Sequence, residues 1–352
     1  MNPVAALGLA VVALVASWCI TGRIRRWALA RQLLDIPNAR SSHVVATPRA
    51  GGLAIVSVTL AGLLIAGVSG WMGWPPIVGL VGSGILVAAV GFSDDRRHVP
   101  RRWRLLTHGL AAAWVTTWSG GVPAVTPFGT TFDLGWASLP LGMIYVVWLI
   151  NLTNFMDGID GITGIEVVTT CLGSVVLISF LGMGGAGVWL PPMLLAAATT
   201  GFLVWNWPPA KIFLGDSGSG FLGLTLAALA LQAGQTSPLL FWCWNILLGV
   251  FIIDATVTLL HRTVRGDRIH EAHRTHAYQH AAQRWRRHTP VTLAVLLINA
   301  LWLFPMAALV AANVLGEVTG LLIAYVPLAG AALWLGAGRP AMPGPAHART
   351  HV

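Results

Sequence analysis

The residues best placed to do chemistry are polar side chains that directly follow an apolar run. Asn154, Asp157 and Asp160 come after the run from 139 to 150, at successive steps of three. If the helix continues through them, they share one face of it. Carboxylates at the end of a membrane helix are unfavourable unless they face water, a cation or a polar partner. We therefore expect a polar site here rather than a simple capped helix end, which needs only one such group.

Further acidic residues lie at the mouths of other apolar runs. Asp94 and Asp95 are adjacent, and neighbouring carboxylates repel each other unless a cation lies between or beside them. The alternative is a span end whose acids pair with Arg96 and Arg97. Asp216 lies among Gly and Ser, a setting that can offer a carboxylate to a metal and backbone N–H groups to a phosphate. The alternative, small residues for close helix packing, explains the glycines but not Asp216.

Basic side chains accumulate in the same connections. Arg40 and His43 lie in the first of them, and His273, Arg274 and His276 lie in the last. Guanidinium and imidazole groups donate hydrogen bonds to phosphates, so both sets are candidates for binding an anionic substrate. Two alternatives remain open. The first set can instead meet lipid head groups, and the last connection can also be an interfacial amphipathic helix.

The elements that must position these residues are membrane helices. Of the 352 residues, 56% are hydrophobic and only 9% are charged, with a mean hydropathy of +0.73. These values exclude a soluble enzyme and predict an all-α polytopic protein embedded in a lipid bilayer, with no nucleic-acid partner. We expect one membrane domain over residues 1–338 and a disordered tail over 339–352. About 11 (10–11) transmembrane helices are predicted, beginning near residues 3, 51, 75, 105, 134, 162, 187, 218, 238, 290 and 320.

The positions of the basic residues test this set of spans. All 21 Lys and Arg fall in alternate connections or in the C-terminal tail, and the connections on the other side contain none. By the positive-inside rule, the N-terminus lies outside, and the C-terminus and the candidate site lie in the cytoplasm. The three cysteines lie inside predicted spans without metal-ligand spacing, which excludes a disulfide framework and a thiolate metal site.

Five segments in this order resemble the polyprenyl-phosphate N-acetylhexosamine-1-phosphate transferases, which include WecA-, TagO- and WbpL-type enzymes and, more distantly, the MraY translocases. The resemblance spans about residues 1–335, and its first and last motifs look most like the WbpL-type branch that starts O-antigen units. The matching segments are Asp35-x-Pro-x-x-Arg-x-x-His with Pro-Arg-x-Gly-Gly, Asp94-Asp95, Asn154-Phe-Met-Asp-Gly-Ile-Asp-Gly, Phe213-Leu-Gly-Asp-Ser-Gly-Ser and the histidine-rich last connection.

This resemblance implies a reaction and its partners. A UDP-N-acetylhexosamine would transfer its sugar-1-phosphate to undecaprenyl phosphate, giving UMP and a lipid-linked diphosphate sugar for O-antigen or cell-envelope polysaccharide. Mg²⁺ is the implied cofactor, with Mn²⁺ as a substitute. The implied location is the bacterial inner membrane, and a homodimer is expected by analogy only. The sugar itself (GlcNAc, FucNAc, QuiNAc or another) stays open.

The resemblance also implies roles for residues of this chain. Asp216 and Asp157 would hold the metal, and the catalytic acids would be Asp94, Asp95, Asp157 and Asp160. The implied substrate-binding residues are Arg40, His43, Thr47, Asn154, Asn206, Phe213, Ser219, Arg265, His273, Arg274 and His276, with Asn206 and Phe213 at positions that hold the nucleoside. Apart from the resemblance, Asp254 lies inside the ninth predicted span, and we expect it to brace the site or the last connection.

One departure from the family pattern and several rival functions remain. Many relatives have His-x-His-His where this chain has His273-Arg-Thr-His276, so a role for a third histidine is in doubt and Arg274 would have to compensate. A Mg²⁺-dependent membrane prenyltransferase would need paired Asp-x-x-x-Asp clusters, which the sequence lacks. An intramembrane protease would need its acids at mid-bilayer depth, and a transporter would need inverted repeats.

Overall fold

The computed structural model describes residues 3–37, 45–97, 99–125, 130–183, 185–267 and 273–340. These residues are mostly helical, with one short antiparallel hairpin in which Asp35 pairs with Thr47. The strands are β1 (Leu34–Asp35) and β2 (Thr47–Pro48). The helices are α1 (Pro3–Ala30), α2 (Gly52–Val68), α3 (Trp74–Arg96), α4 (Arg101–Ser119), α5 (Ser138–Met156), α6 (Ile162–Phe180), α7 (Ala186–Asn206), α8 (Asp216–Thr236), α9 (Pro238–Leu247), α10 (Gly249–Val264), α11 (Ala277–Trp285), α12 (Thr289–Ile298), α13 (Phe304–Ala311) and α14 (Glu317–Leu335).

Helices occur at all eleven predicted positions, and the all-α polytopic membrane fold is confirmed. Within the described residues, eight helical segments are long and apolar enough to cross a membrane, or nine if the bent pair α9–α10 is one span. Helix α2 has only 17 residues, and α4 carries three arginines in its first four residues, so neither reaches that standard. The number of eleven crossings therefore stays a prediction.

Two of the predicted spans are interrupted. Helices α9 and α10 meet at Leu248 with a bend of 69°. Helices α12 and α13 are joined by a π-helical segment, Asn299–Leu303. Pro305 follows at the start of α13 and has no N–H for a regular helical hydrogen bond. The Asn299 amide donates a hydrogen bond to Glu166 of α6 at 2.6 Å, so this irregular segment is bonded directly to α6.

Helix α8 lies at the centre of the fold, and it is the most buried of the candidate spans. Neighbouring helices approach its backbone closely where they carry glycine. A Cβ on Gly52 of α2 would lie 2.2 Å from the Cα of Gly218, and a Cβ on Gly91 of α3 would lie 2.5 Å from the carbonyl oxygen of Asp216. The packing interpretation of these small residues is therefore correct for the glycines. This close packing also places Asp216 between α2, α3 and α5.

The predicted continuation of α5 through Asp157 and Asp160 is wrong. The helix ends at Met156, and Asp157 follows it in a non-helical conformation. Gly161 then adopts a positive φ of 76° just before α6 begins, a conformation that glycine reaches without strain. The chain reverses between α5 and α6, so Asp157 and Asp160 point to different surroundings instead of sharing a helix face.

Candidate active site

The carboxylate of Asp95 holds the first turn of α8 in place. One of its oxygens accepts the Asp216 N–H at 2.9 Å, and the other accepts the Ser217 N–H at 3.2 Å and the Ser217 hydroxyl at 3.0 Å. The first N–H groups of a helix lack partners within the helix, and a negative charge there is favourable. Asp95 is also buried. This predicted catalytic acid therefore positions Asp216, and both of its oxygens are engaged in doing so.

Asp94 and Asp216 meet at one guanidinium group. Arg104, in the first turn of α4, donates to Asp94 and lies 3.8 Å from a carboxylate oxygen of Asp216. Asp94 also accepts the Val99 N–H at 2.7 Å, across the break between α3 and α4. The structure thus brings the acids of two distant motifs to one place, with a cation shared between them.

The end of α5 completes this acidic cluster. The Asn154 amide donates to Asp216 at 2.7 Å and to the hydroxyl of Ser219 at 3.0 Å. Asp157 accepts the hydroxyl of Thr163 at 2.8 Å. Burial raises the pKa of Asp157 to about 7; the bond from Thr163 opposes this rise, and the nearby carboxylate of Asp216 adds to it. The charge of Asp216 thus disfavours the ionised form of Asp157.

This cluster opens into a cleft of about 420 Å³ lined by Arg49, Asp94, Asp95, Arg96, Arg97, Arg104 and Asp216. Within the described part of the chain, no three His, Cys, Asp or Glu side chains already form a cation site. Mg²⁺, however, usually takes only one or two carboxylates and completes its shell with water and substrate phosphates. Asp216, which lines the cleft, and Asp157, whose pKa the charge of Asp216 affects, fit that kind of site. A cation there would favour the ionised form of Asp157.

Asp160 lies in a second, neighbouring groove. Its carboxylate accepts the Ala210 N–H at 3.0 Å and lies 3.2 Å from Nδ1 of His288. Asn206 links the same loops, because its oxygen accepts the Gly161 N–H at 2.9 Å and its amide donates to the Ile212 carbonyl at 3.0 Å. Asn206 is buried. Both ends of its amide are thus bonded to backbone groups of these loops.

The second groove has a volume of about 500 Å³. Three predicted substrate-binding residues line it, namely Thr47 of β2, Phe213 of the loop before α8, and Arg274 of the last connection. The Phe213 backbone bonds to Pro48 on one side and Gly51 on the other, so the loop and the hairpin form one wall. Other lining residues come from α11 and from its connection to α12, including Arg286, Arg287 and His288. An aromatic ring and several cations in one groove suit a planar, anionic ligand.

The predicted histidines lie beside the end of α5. The rings of His273 and His276 stack with centroids 4.9 Å apart, and both rings lie next to Phe155. His276 caps α11, and Asp254 of α10 holds it: the carboxylate lies 3.3 Å from Nδ1 of His276. The same carboxylate accepts the N–H groups of the next two residues, 277 and 278, at 2.9 Å each. Asp254 thus braces the last connection, which is one of the two roles expected for it.

Of three further predicted residues, one lies away from the acidic cluster and two fall outside the described part of the chain. Arg265 donates to the Gly338 carbonyl at 2.7 Å and lies 3.2 Å from Asp267, so its guanidinium is directed towards the segment after α14. Arg40 and His43 lie outside the described residues. The predicted tail also does, apart from residues 339 and 340.

Comparison with known proteins decides the family. The profile of glycosyl transferase family 4 matches residues 77–234. A probable undecaprenyl-phosphate N-acetylglucosaminyl 1-phosphate transferase of Bacillus subtilis (strain 168) is 31% identical over 305 residues, which cover 85% of this chain and 83% of the relative. The chain belongs to glycosyl transferase family 4.

Other relatives agree with this membership of family 4. A decaprenyl-phosphate N-acetylglucosaminephosphotransferase of Mycobacterium tuberculosis (strain H37Rv) is 28% identical, and the alignment covers 82% of this chain and 78% of the relative. A phospho-N-acetylmuramoyl-pentapeptide-transferase of Synechococcus sp. (strain JA-2-3B'a(2-13)) is 30% identical, covering 70% and 72%. This family 4 protein is thus a multi-pass membrane glycosyltransferase, and its matched segment contains α3 to α8, which carry most of the acidic cluster.

Sequence reasoning missed three residues of this family 4 site. Arg104 is one of five arginines in its connection. Pro100 predicts that a helix begins after it, but not which of the arginines that follow faces the preceding helix. Thr163 and His288 became visible only through their bonds to Asp157 and Asp160. Nothing in the spacing of the sequence relates either residue to an acid.

Proposed function

We propose that this protein transfers an N-acetylhexosamine-1-phosphate from a UDP-sugar to undecaprenyl phosphate, releasing UMP. The observation that carries the proposal is the cluster in which Asp94, Arg104 and Asp216 meet, with Asn154 bonded to Asp216. It supplies cations and metal-ligating oxygens at the end of membrane helices, where a lipid phosphate and a nucleotide diphosphate can meet. The Bacillus and Mycobacterium relatives, named as undecaprenyl-phosphate and decaprenyl-phosphate transferases, support the same reaction.

Mg²⁺ is the proposed cofactor, with Mn²⁺ as a substitute, and Asp216 and Asp157 are its proposed ligands. When bound, a divalent ion neutralises charge on the diphosphate and polarises the phosphorus that is attacked. Asn154 would keep the Asp216 carboxylate turned towards that ion, and Asp95 would fix the backbone on which Asp216 sits. These two residues act by orientation.

Charge neutralisation is the main demand of this reaction. The lipid phosphate has a second pKa of about 6 and is mostly dianionic near neutral pH, so a general base has little proton to remove. Bringing this dianion to a diphosphate requires cations, and Arg104 stands between Asp94 and Asp216 where the two anions would approach. We propose direct in-line attack on the sugar-bearing phosphate, with Asp94 orienting the acceptor or taking its residual proton.

The second groove is the proposed nucleotide site. Phe213 offers an aromatic ring, and Arg274 offers a guanidinium in the same groove. The stacked histidines, His273 and His276, lie beside Phe155, the residue that follows Asn154. They would contact the diphosphate between the two sites. Because Asn206 is committed to backbone groups, we assign it the shaping of this groove rather than a direct bond to the nucleoside.

We also propose the cellular setting that the positive-inside pattern and the family indicate. The site would face the cytoplasm from the bacterial inner membrane, where UDP-sugars are made available. The product would start O-antigen or another cell-envelope polysaccharide. The hexosamine is left open among GlcNAc and 6-deoxy sugars such as FucNAc and QuiNAc.

The test is release of UMP by purified protein given undecaprenyl phosphate, Mg²⁺ and each UDP-sugar separately. We expect UMP and a lipid-linked diphosphate sugar in equal amounts with one of the sugars, and neither product from Asp216→Asn. Absence of UMP with every sugar would refute the proposal. A radiolabelled nucleotide trapped on the protein without lipid acceptor would refute direct attack and favour a covalent aspartyl intermediate.

A further inference from the structure

The chain continues past α14 as a short segment at the end of the predicted membrane domain, and only its last residue falls in the predicted disordered tail. Residues 336–339, which we call the strap, leave the helix through Gly336 at a φ of 93°. The N–H groups of Gly336 and Ala337 return to carbonyls of the last turn of α14. The strap therefore leaves α14 in a defined direction, towards the last basic connection.

Three consecutive carbonyl groups of the strap accept hydrogen bonds from side chains of that connection. Nδ1 of His261 lies 2.8 Å from the oxygen of Ala337, Arg265 donates to Gly338 at 2.7 Å, and Nε2 of His280 lies 3.2 Å from the oxygen of Arg339. A carbonyl can only accept, so both rings must donate. Arg265, which the family resemblance assigned to substrate binding, therefore binds backbone here.

A fourth bond reaches the histidine segment itself. The Gly338 N–H donates to the Thr275 carbonyl at 2.7 Å. Thr275 stands between Arg274, which lines the nucleotide groove, and His276, whose ring Asp254 holds from the other side. Segment 273–276 is therefore attached to α10 through Asp254 and to the strap through Gly338.

Packing requires this arrangement of the strap. Ala337 is fully buried and packs with Ala277, the first residue of α11. The guanidinium of Arg284 lies 5.0 Å from the ring centroid of Trp334 and joins α11 to the end of α14. Gly338 has a φ of 77°, and a Cβ there would lie 2.7 Å from the Cβ of His261. No larger residue fits at 338 without moving the strap.

We propose that the strap is a positioning element of the site: it holds segment 273–276 in place, so that Arg274 and the histidines keep their geometry beside the acidic cluster. The catalytic part of this inference rests on the proposed function. The strap itself does not. The strap also explains the placement of α14. This helix has to return the chain to the side of the membrane on which the site lies, because only then can the strap reach Thr275.

Three variants test the proposal in purified full-length protein. The first ends after Pro340, the second ends after Leu335 and lacks the strap, and the third is Gly338→Ala. Gly330→Ala is the matched control, because a Cβ at Gly330 in the middle of α14 meets nothing within 4 Å. Each protein is assayed for UMP release, for thermal unfolding, and for trypsin cleavage after Arg274 relative to cleavage at the exposed Arg97.

We expect the chain that ends after Pro340 and Gly330→Ala to match the parent protein in all three measurements. Without the strap, cleavage after Arg274 should rise at least tenfold and UMP release should fall about a hundredfold, since misplacement of a binding group by about 1 Å costs that much. Gly338→Ala should move both readouts in the same direction with little change in thermal unfolding. This combination separates local loosening from general destabilisation.

Two results would overturn the proposal. One is unchanged cleavage after Arg274 in both strap variants, because the segment would then be held without the strap. The other is increased cleavage with unchanged UMP release, because the strap would then hold the segment without serving the reaction. If the parent protein releases no UMP but the cleavage pattern changes as expected, the proposed function fails and the attachment by the strap stands.

Discussion

Asp95 offers the sharpest test of how this site is built, because the structure assigns it a positioning role where sequence reasoning expected a catalytic acid. The proposed change is Asp95→Asn. An asparagine keeps one acceptor oxygen and replaces the other with an NH₂ group. At least one of the two N–H groups that now bond to Asp95, those of Asp216 and Ser217, would then face a donor instead of an acceptor.

The magnitude follows from these contacts. A buried donor without a partner costs about 1–3 kcal/mol, and loss of a negative charge at a helix N-terminus costs about 0.3–1 kcal/mol. Asp95→Asn should therefore lower the free energy of unfolding by roughly 1–4 kcal/mol. It should also displace Asp216, so UMP release should fall as well. The 17 tryptophans allow thermal unfolding in detergent to be followed by intrinsic fluorescence.

Asp216→Asn is the matched control. Its side-chain oxygen can still accept the Asn154 amide, and the change removes one charge from a cluster of repelling carboxylates. We expect it to abolish UMP release while leaving the unfolding temperature unchanged or higher, as at other sites where function opposes stability. If Asp95→Asn lost activity but unfolded at the parent temperature, Asp95 would act on the substrate and the positioning role would be refuted.

Three further predictions concern the cation, the brace and the metal. Arg104→Ala should lower kcat for UMP release about a hundredfold. Arg104→Lys should recover part of the lost kcat, because lysine keeps the charge but not the planar donor geometry. A parent-like kcat in the alanine variant would contradict this prediction. Asp254→Ala leaves the N–H groups of Ala277 and Tyr278 without their acceptor, so hydrogen exchange at these two amides should accelerate, and unchanged exchange would count against the brace. Removal of divalent ions with EDTA should stop UMP release and Mg²⁺ should restore it, with Asp157→Asn needing more Mg²⁺ than the parent; activity in EDTA would exclude the proposed ion.

The polytopic helical fold was predictable from the sequence because it depends on local composition. An apolar run long enough to cross a bilayer must satisfy its backbone within itself, which leaves a helix. The structure therefore has a helix at every position where an apolar run predicted one. The length of a helix was harder to predict where tertiary contacts replace apolar surface. An example is the short α2, whose Gly52 packs directly against the backbone of α8.

Much of the acidic cluster was also predictable, because each acid stands at the mouth of an apolar run and its placement needs an explanation. The structure brings Asp94 and Asp216 to one arginine and Asn154 to Asp216, as expected for a single site. The shared helix face of Asp157 and Asp160 was wrong, since local spacing cannot show where a helix ends when Gly158 and Gly161 follow. Asp160 consequently belongs to the nucleotide groove.

The sequence by itself determined which residue types this protein places at its helix ends, and therefore that it is a membrane enzyme of the phosphate-handling kind its family indicates. Only the tertiary structure decided what each polar group does. Asp95 caps a helix 121 residues further along the chain, Asp254 holds His276, and Arg265 binds the strap. The physical reason is that a carboxylate or a guanidinium has the same chemistry in every role, and its role depends on which donors and acceptors distant helices bring within about 3 Å of it.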